Sequence, residues 1–264
     1  MDPASGELRS RDAADTSART GGQALRPRNV SAGARHARRL VIFDCDGVLV
    51  DSEVLACDVQ ARALSAYGFQ ISGEEVASRF LGMSAKDMRA ELEFGLGRPL
   101  PMDHEVRCGE ELSELFRREL KPVAGIRGVI SGIAASGHAS CVASSSSPER
   151  IALALDVTGL LDLLRPNVFS STMVARGKPA PDLFLYSART MGFDPESCIV
   201  IEDSVNGIKA ARSAGIRSLG FLGGAHCPVG HGKALAEAGA SHICSDAAEL
   251  ATAVGEELGI SASG

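Results

Sequence analysis

The chain has 264 residues, of which 45% are hydrophobic and 23% charged, a balance typical of globular proteins and not of disordered or fibrous ones. Its net charge is -6, and the chain after residue 39 carries 29 acidic against 19 basic side chains. Such an acidic body argues against binding to the nucleic-acid backbone, and no apolar run approaches the roughly 18 residues of a membrane span.

The seven cysteines are odd in number and lack paired spacing, which indicates a reducing compartment and not a disulfide framework. No pattern of a secretory signal is found near the start of the chain. We therefore expect a cytoplasmic monomer or small homo-oligomer without membrane or nucleic-acid partners.

Residues 1–39 predict a disordered leader. They hold eight arginines against four acids, and few large aliphatic side chains. Such a segment cannot bury enough apolar surface to offset the entropy of ordering it. An organelle-targeting peptide is the alternative, although four acidic residues are atypical of that class.

The first predicted ordered element is residues 40–43. This apolar run is typical of a strand buried on both faces of a parallel sheet. Residues 53–120 follow a helical pattern that no convincing strand interrupts, which predicts a helical cap. The cap would be inserted into a core formed by residues 40–52 and 121–264.

Helices and strands alternate after residue 121, beginning with a predicted helix at 126–135. The further predicted strands are 139–143, 198–201 and 218–222. This alternation predicts an α/β fold, with a doubly wound, Rossmann-like parallel sheet as the core and an inserted all-helical cap.

Polar residues follow the predicted strands or begin the next helices. They are Asp44 with Asp46, Ser144, Lys178, and Glu202 with Asp203. In an open parallel sheet the carboxyl ends of the strands meet at one edge, where active sites form. Converging carboxylates are costly when unpaired, and a divalent cation removes that cost. Oxygen ligands of this kind suit Mg²⁺.

These residue types fit phosphoryl transfer, which needs an in-line nucleophile and neutralisation of the phosphoryl oxygens. Asp44 can be the nucleophile, because a carboxylate can form an acyl-phosphate. Asp46 can protonate the leaving alcohol and then deprotonate the hydrolytic water. Lys178 and the Ser144 hydroxyl can bind phosphoryl oxygens, together with the helix N-terminus after Ser147.

Four motifs in order resemble those of the haloacid dehalogenase superfamily. They are Asp44-Cys45-Asp46-Gly47 through Ser52, then Ser144, then Lys178-Pro179-Ala180-Pro181-Asp182, and finally Ile201-Glu202-Asp203-Ser204. The resemblance spans residue 40 to the end of the chain, and the helical block is similar to that family's inserted cap.

The resemblance implies roles for these positions. Asp44 would be the nucleophile and Asp46 the acid and base. Magnesium would be held by Asp44, Asp203 and the backbone carbonyl of Asp46, with Glu202 contributing directly or through water. The cap would close over the substrate and set specificity.

The neighbours of the motifs have less defined roles. Ser145, through its backbone N–H, and Glu53 are candidate substrate-binding residues. We expect Ser146 and Ser147 to cap the next helix. His226, Cys227 and His231 include ligand types for zinc, but without Cys-x-x-Cys or His-x-x-x-His spacing they are interpreted as a loop with coincidental residues.

The leading hypothesis is a Mg²⁺-dependent phosphatase of a small phosphorylated metabolite: a sugar, sugar-acid or polyol phosphate. The continuation Asp51-Ser52-Glu53 resembles the branch that contains 6-phosphogluconate phosphatase. A β-phosphoglucomutase is the alternative, but its phosphate-clamping arginine would fall at Ala85. A non-catalytic phospho-ligand binding protein is a third possibility.

Residues 81–84 are interpreted as a connecting turn or a specificity loop.

Overall fold

The computed structural model describes residues 38–80 and 85–260, with side chains omitted for residues 85–87. The predicted leader lies outside the described residues except for its last two positions. The predicted turn or specificity loop at residues 81–84 also lies outside them.

Within the described ranges, six parallel strands form one sheet in the order β3-β2-β1-β4-β5-β6. The strands are β1 (Leu40–Phe43), β2 (Ala139–Ser144), β3 (Val168–Ser170), β4 (Cys198–Glu202), β5 (Arg217–Phe221) and β6 (His242–Cys244). The predicted strands are all present. The sequence analysis missed β3 and β6, because each has only three residues and so gives little periodic signal.

The helices of the described part alternate with these strands after the first helical block. They are α1 (Glu53–Ala66), α2 (Gly73–Phe80), α3 (Ala85–Leu96), α4 (His104–Glu119), α5 (Ile126–Ala135), α6 (Pro148–Val157), α7 (Leu161–Leu164), α8 (Asp182–Met191), α9 (Val205–Ser213), α10 (His231–Ala238) and α11 (Ala247–Leu258). The doubly wound α/β fold is therefore confirmed.

β1 lies at the centre of the sheet and has no exposed face, because its side chains alternate between two apolar layers. Val41 and Phe43 pack with the apolar residues of α5, α6 and α11. Leu40 and Ile42 pack on the opposite side with α8 and α9. Burial on both faces explains why the strand is a continuous apolar run, and it fixes the position of the residue that follows Phe43.

The helices α1 to α4 form the predicted all-helical cap between β1 and α5. Leu64, Val76 and Leu92 belong to an apolar cluster that is separate from the sheet layers. Phe116, near the end of α4, packs instead with the core layer of α5 and α6. The exact boundaries at 52/53 and 120/121 stay a prediction.

None of the helices in the described ranges is both long and apolar enough to span a membrane. All seven cysteines lie in those ranges and are free.

Candidate active site

The polar residues of the motifs lie at the carboxyl edge of the sheet. Asp44 directly follows β1, and its backbone N–H donates to the Ile201 carbonyl of β4 at 3.0 Å. Ser144 is the last residue of β2, and Glu202 is the last residue of β4. Because β1 lies between β2 and β4, the three strand ends converge on Asp44.

Asp44, Glu202 and Asp203 form a buried carboxylate cluster. Each offers an oxygen that lies within 4.8 Å of the others. Lys178 is the cation in contact with two of them: its Nζ lies 2.6 Å from Asp44 Oδ1 and 2.6 Å from Glu202 Oε1. Its side chain is 4% exposed, and its ammonium lies 5.0 Å from the centre of the Phe184 ring of α8.

Glu202 is held by protein donors at both oxygens. Oε1 accepts from Lys178, and Oε2 accepts from the Ser204 backbone N–H and hydroxyl, each at 2.9 Å. Because both of its oxygens already accept hydrogen bonds, Glu202 orients Lys178. A role of Glu202 at a metal ion would therefore be indirect. The role of Glu202 at the metal stays a prediction.

The donor set fits a divalent cation. Burial raises the pKa of Asp44 well above its usual value, and the Lys178 charge offsets this only in part. Burial likewise raises the pKa of Asp203, although the hydrogen bond from His226 lowers it in part. The cationic side chains around the cluster thus do not fully neutralise its carboxylates. An oxygen-rich acidic cluster of this kind is compatible with Mg²⁺.

Asp46 points into a separate set of donors. Its Oδ1 accepts from the Ser52 hydroxyl at 2.6 Å and from Arg150 Nη2 at 3.1 Å, while Oδ2 accepts from the Ser146 hydroxyl at 2.6 Å. Burial alone would raise the pKa of Asp46, but the Arg150 charge and these hydrogen bonds hold it below its usual value. Arg150 also stacks over the Phe116 ring of α4 at 5.5 Å.

The serine run between β2 and α6 has divided roles. Ser144 Oγ accepts from the Ser146 backbone N–H at 3.1 Å, and Ser147 caps α6 by accepting from the Arg150 N–H at 3.3 Å. The expectation that Ser146 also caps this helix is wrong, because the N-cap is Ser147 and the Ser146 hydroxyl instead donates to Asp46. Ser145 is exposed, and its carbonyl accepts from Ser171 at 2.9 Å.

Glu53 begins α1 at the entrance to the cap and faces the same charges. Burial, followed by the Asp46 and Asp203 charges, raises the pKa of Glu53 to about 7. A carboxyl that titrates near neutrality beside the reacting groups can exchange a proton or a hydrogen bond with a ligand.

The sequence analysis missed three contacts around these groups. Ser146 and Arg150 reach Asp46, and His226 Nε2 lies 2.9 Å from Asp203 Oδ2. In the described part of the chain the candidate metal group is the carboxylate cluster, which includes neither His226 nor His231. The Ser-Ser-Ser-Ser-Pro-Glu-Arg segment after β2 could have indicated the contacts of Ser146 and Arg150. No sequence pattern around His226 indicated its contact with Asp203.

We expect Gly207→Ala to destabilise the protein by about 1–3 kcal/mol through overpacking. A Cβ at Gly207, on α9, would lie 1.8 Å from Glu202 Oε1 and 1.9 Å from Glu202 Cδ. The substitution would therefore displace Glu202 and with it Lys178. Urea unfolding measures the change.

The matched control is Gly255→Ala on α11, where the added Cβ would point into open space outside its own helix backbone. This variant should gain about 0.5–1 kcal/mol, the usual effect of replacing glycine inside a helix. Equal unfolding midpoints for the two variants would contradict the packing of α9 against Glu202.

Comparisons with known proteins identify the family of the chain. Residues 38–215 match the family model described as haloacid dehalogenase-like hydrolase. The chain is similar to the phosphorylated carbohydrates phosphatase of Thermotoga maritima, with 33% identity over 76% of this chain and 91% of the relative. It is also similar to the 6-phosphogluconate phosphatase of Escherichia coli K12, with 30% identity over 73% and 87% of the two chains.

A solved structure gives the same result for the fold. A conserved haloacid dehalogenase-like protein from Agrobacterium tumefaciens superposes with a TM-score of 0.76 at 35% identity, covering 83% of this chain and 99% of that one. The matched residues 38–215 include all four motifs and the cap helices α1 to α4. The chain therefore belongs to the haloacid dehalogenase-like hydrolases and is a phosphoric monoester hydrolase of that family.

Proposed function

We propose that the protein is a Mg²⁺-dependent phosphatase that hydrolyses a small phosphorylated metabolite through an aspartyl-phosphate. The observation that carries this proposal is the contact of Asp44 with Lys178 beside the Asp203 carboxylate, at the carboxyl edge of the sheet. A nucleophile, a fixed cation and a candidate metal group at one point are the parts that phosphoryl transfer requires.

Asp44 would supply the oxygen that attacks phosphorus. It is 8% exposed, so an oxygen can reach a phosphate in the cleft while the rest of the residue stays fixed by the strand. The bond from Asp44 to phosphorus forms as the bond to the leaving alcohol oxygen breaks. Lys178 holds the Asp44 carboxylate and presents its charge to the phosphoryl oxygens, aided by Ser144 and the backbone N–H of Ser145.

Asp46 would transfer the protons of both half-reactions. In its protonated form it donates to the leaving alcohol, and as a carboxylate it accepts a proton from the water that cleaves the aspartyl-phosphate. The donors Ser52, Ser146 and Arg150 favour its carboxylate form. Release of some of these bonds when substrate binds would allow the protonated form needed in the first step.

Asp44, Asp203 and the Asp46 carbonyl are the groups that would hold magnesium, with Glu202 in support. When bound, the cation supplies charge that neutralises the phosphoryl oxygens and the crowded carboxylates. The raised pKa values of Asp44 and Asp203 support this role, because an added positive charge would restore their ionised forms.

We infer the substrate class from the relatives. Two relatives that align with this chain over most of their length are named for their action on 6-phosphogluconate and on phosphorylated carbohydrates. A phosphorylated sugar, sugar acid or polyol therefore fits best, and Glu53 would contact its hydroxyl groups. The free cysteines support a reducing, cytoplasmic setting.

The test is a screen of phosphorylated metabolites, measuring released phosphate with Mg²⁺ and with EDTA. We expect metal-dependent release from carbohydrate phosphates at values of kcat/KM above those for a chromogenic ester. Conversion of β-glucose 1-phosphate to glucose 6-phosphate with a bisphosphate primer would favour a mutase instead. Absence of activity in folded protein with Mg²⁺ would favour a binding protein.

We expect Arg150→Met to move the acidic limb of the kcat profile to higher pH. Arg150 holds the pKa of Asp46 below its usual value, so its removal raises that pKa, and ionised Asp46 is then lost at a higher pH as the solution is acidified. Steady-state rates between about pH 4 and 9 measure the shift.

Arg117→Met is the matched control, because Arg117 lies on α4 with its guanidinium paired to Glu114 and half exposed. Its pH profile should match that of the unmodified enzyme. An Arg150→Met profile that falls uniformly at all pH values, without a displaced limb, would contradict the coupling to Asp46.

A further inference from the structure

Two histidines reach one residue of the fourth motif: His226 from the loop after β5, and His231 from the first position of α10. His226 Nε2 lies 2.9 Å from Asp203 Oδ2, and His231 Nε2 lies 2.6 Å from the Asp203 main-chain oxygen. Because the carboxylate and the carbonyl are acceptors, each ring nitrogen must carry the hydrogen and donate it. Asp203 is thus held by its side chain and by its backbone at once.

The His226 ring occupies a slot that two glycines leave open. A Cβ at Gly224 would lie 2.7 Å from His226 Nδ1 and 2.8 Å from the Gly47 carbonyl oxygen. A Cβ at Gly47 would lie 2.6 Å from His226 Cε1 and 2.0 Å from Asp203 Oδ2. The ring is 2% exposed, so the local backbone is shaped to hold an imidazole against this carboxylate.

The two contacts at Asp203 bear on metal binding by this residue. Donors that hold a ligating carboxylate restrict its rotation and thereby reduce the entropy lost when a cation binds.

We propose that His226 and His231 are positioning residues that fix Asp203 for the divalent cation. His226 sets the rotation of the carboxylate through Oδ2, and His231 fixes the backbone through the carbonyl. The inference deepens the proposed function and rests on it, because it takes Asp203 as a metal ligand. It also gives a role to two histidines that the sequence alone left as coincidental.

The experiment measures Mn²⁺ affinity directly, by electron paramagnetic resonance of the free ion, in the full chain without substrate. His226→Gln places an amide N–H near the Nε2 position, whereas His226→Asn places it near Nδ1 and loses the donor to Asp203. We expect the glutamine variant to bind Mn²⁺ nearly as the unmodified protein does. The asparagine variant should bind it about 10- to 100-fold more weakly.

His231→Gln and His231→Asn form a second pair that tests the backbone contact in the same way. Should a His226 variant fail to fold, this pair still decides the outcome for His231 and the carbonyl. His242→Asn, at an exposed position of β6, is the matched control and should leave Mn²⁺ affinity unchanged. Steady-state kinetics should show a raised Mg²⁺ requirement in the asparagine variants, with little change of kcat at saturating Mg²⁺.

Asp203→Asn separates failure of this inference from failure of the proposed function. If Asp203→Asn leaves Mn²⁺ affinity intact, Asp203 is not a metal ligand and that part of the proposed function falls. If Asp203→Asn weakens binding but both glutamine and asparagine variants bind as the unmodified protein does, only the positioning role is overturned. Equal weakening by glutamine and asparagine would also overturn it, since it would indicate general loss of packing.

Discussion

Asp44→Asn should lower phosphate release by about 10⁴-fold or more for every substrate. Asparagine keeps the size of the side chain and an oxygen that can accept from Lys178, so the fold should persist. The amide oxygen cannot form a stable acyl-phosphate, so the covalent step is lost. Acid quenching of a reaction with labelled substrate should trap phosphate on the unmodified chain and none on the variant.

The control is Asp162→Asn, an exposed aspartate on α7, which should retain full activity and labelling. Turnover of Asp44→Asn within about tenfold of the unmodified enzyme would remove Asp44 as the nucleophile. Direct attack by water would then have to explain hydrolysis.

Lys178→Met is expected to have the second largest effect, on stability as well as on activity. Removal of the ammonium leaves Asp44 and Glu202 buried without their cation, which should cost about 3–5 kcal/mol of unfolding free energy. Activity should fall by about 10²- to 10³-fold or more, because the phosphoryl oxygens lose a fixed positive charge.

The stability loss should grow as pH rises. Burial raises the pKa of Asp44 in the folded protein above that in the unfolded chain, so the protonated carboxyl tolerates the absence of Lys178 and the ionised one does not. Urea unfolding at several pH values between about 5 and 8 measures this slope.

The double variant Lys178→Met with Glu202→Gln separates structure from catalysis. One buried charge is neutralised, so part of the lost stability should return while activity stays low. Lys233→Met, on an exposed lysine of α10, is the control and should change neither quantity. Recovery of activity in the double variant would contradict the catalytic role of Lys178.

The amino-acid sequence by itself was sufficient to predict a parallel sheet, four of its six strands including the buried central one, and the residues that follow those strands. A strand covered on both faces must be apolar throughout, so the run at residues 40–43 is visible without any partner. The first polar residue after such a strand must lie at the edge of the sheet, and this places Asp44 and Glu202. Residues 53–120 lack a strand pattern, which is enough to identify the helical cap.

Only the tertiary structure decided which polar groups hold one another. Arg150 lies 104 positions from Asp46, and His226 reaches Asp203 from a loop with no helical or strand period. Periodicity reports the environment of a residue along its own element, whereas these contacts depend on the order of β2, β1 and β4 and on the path of the loop after β5. The same arrangement gives the two carboxylates different partners. Both oxygens of Glu202 accept hydrogen bonds from Lys178 and Ser204, whereas Asp203 is held by two histidines.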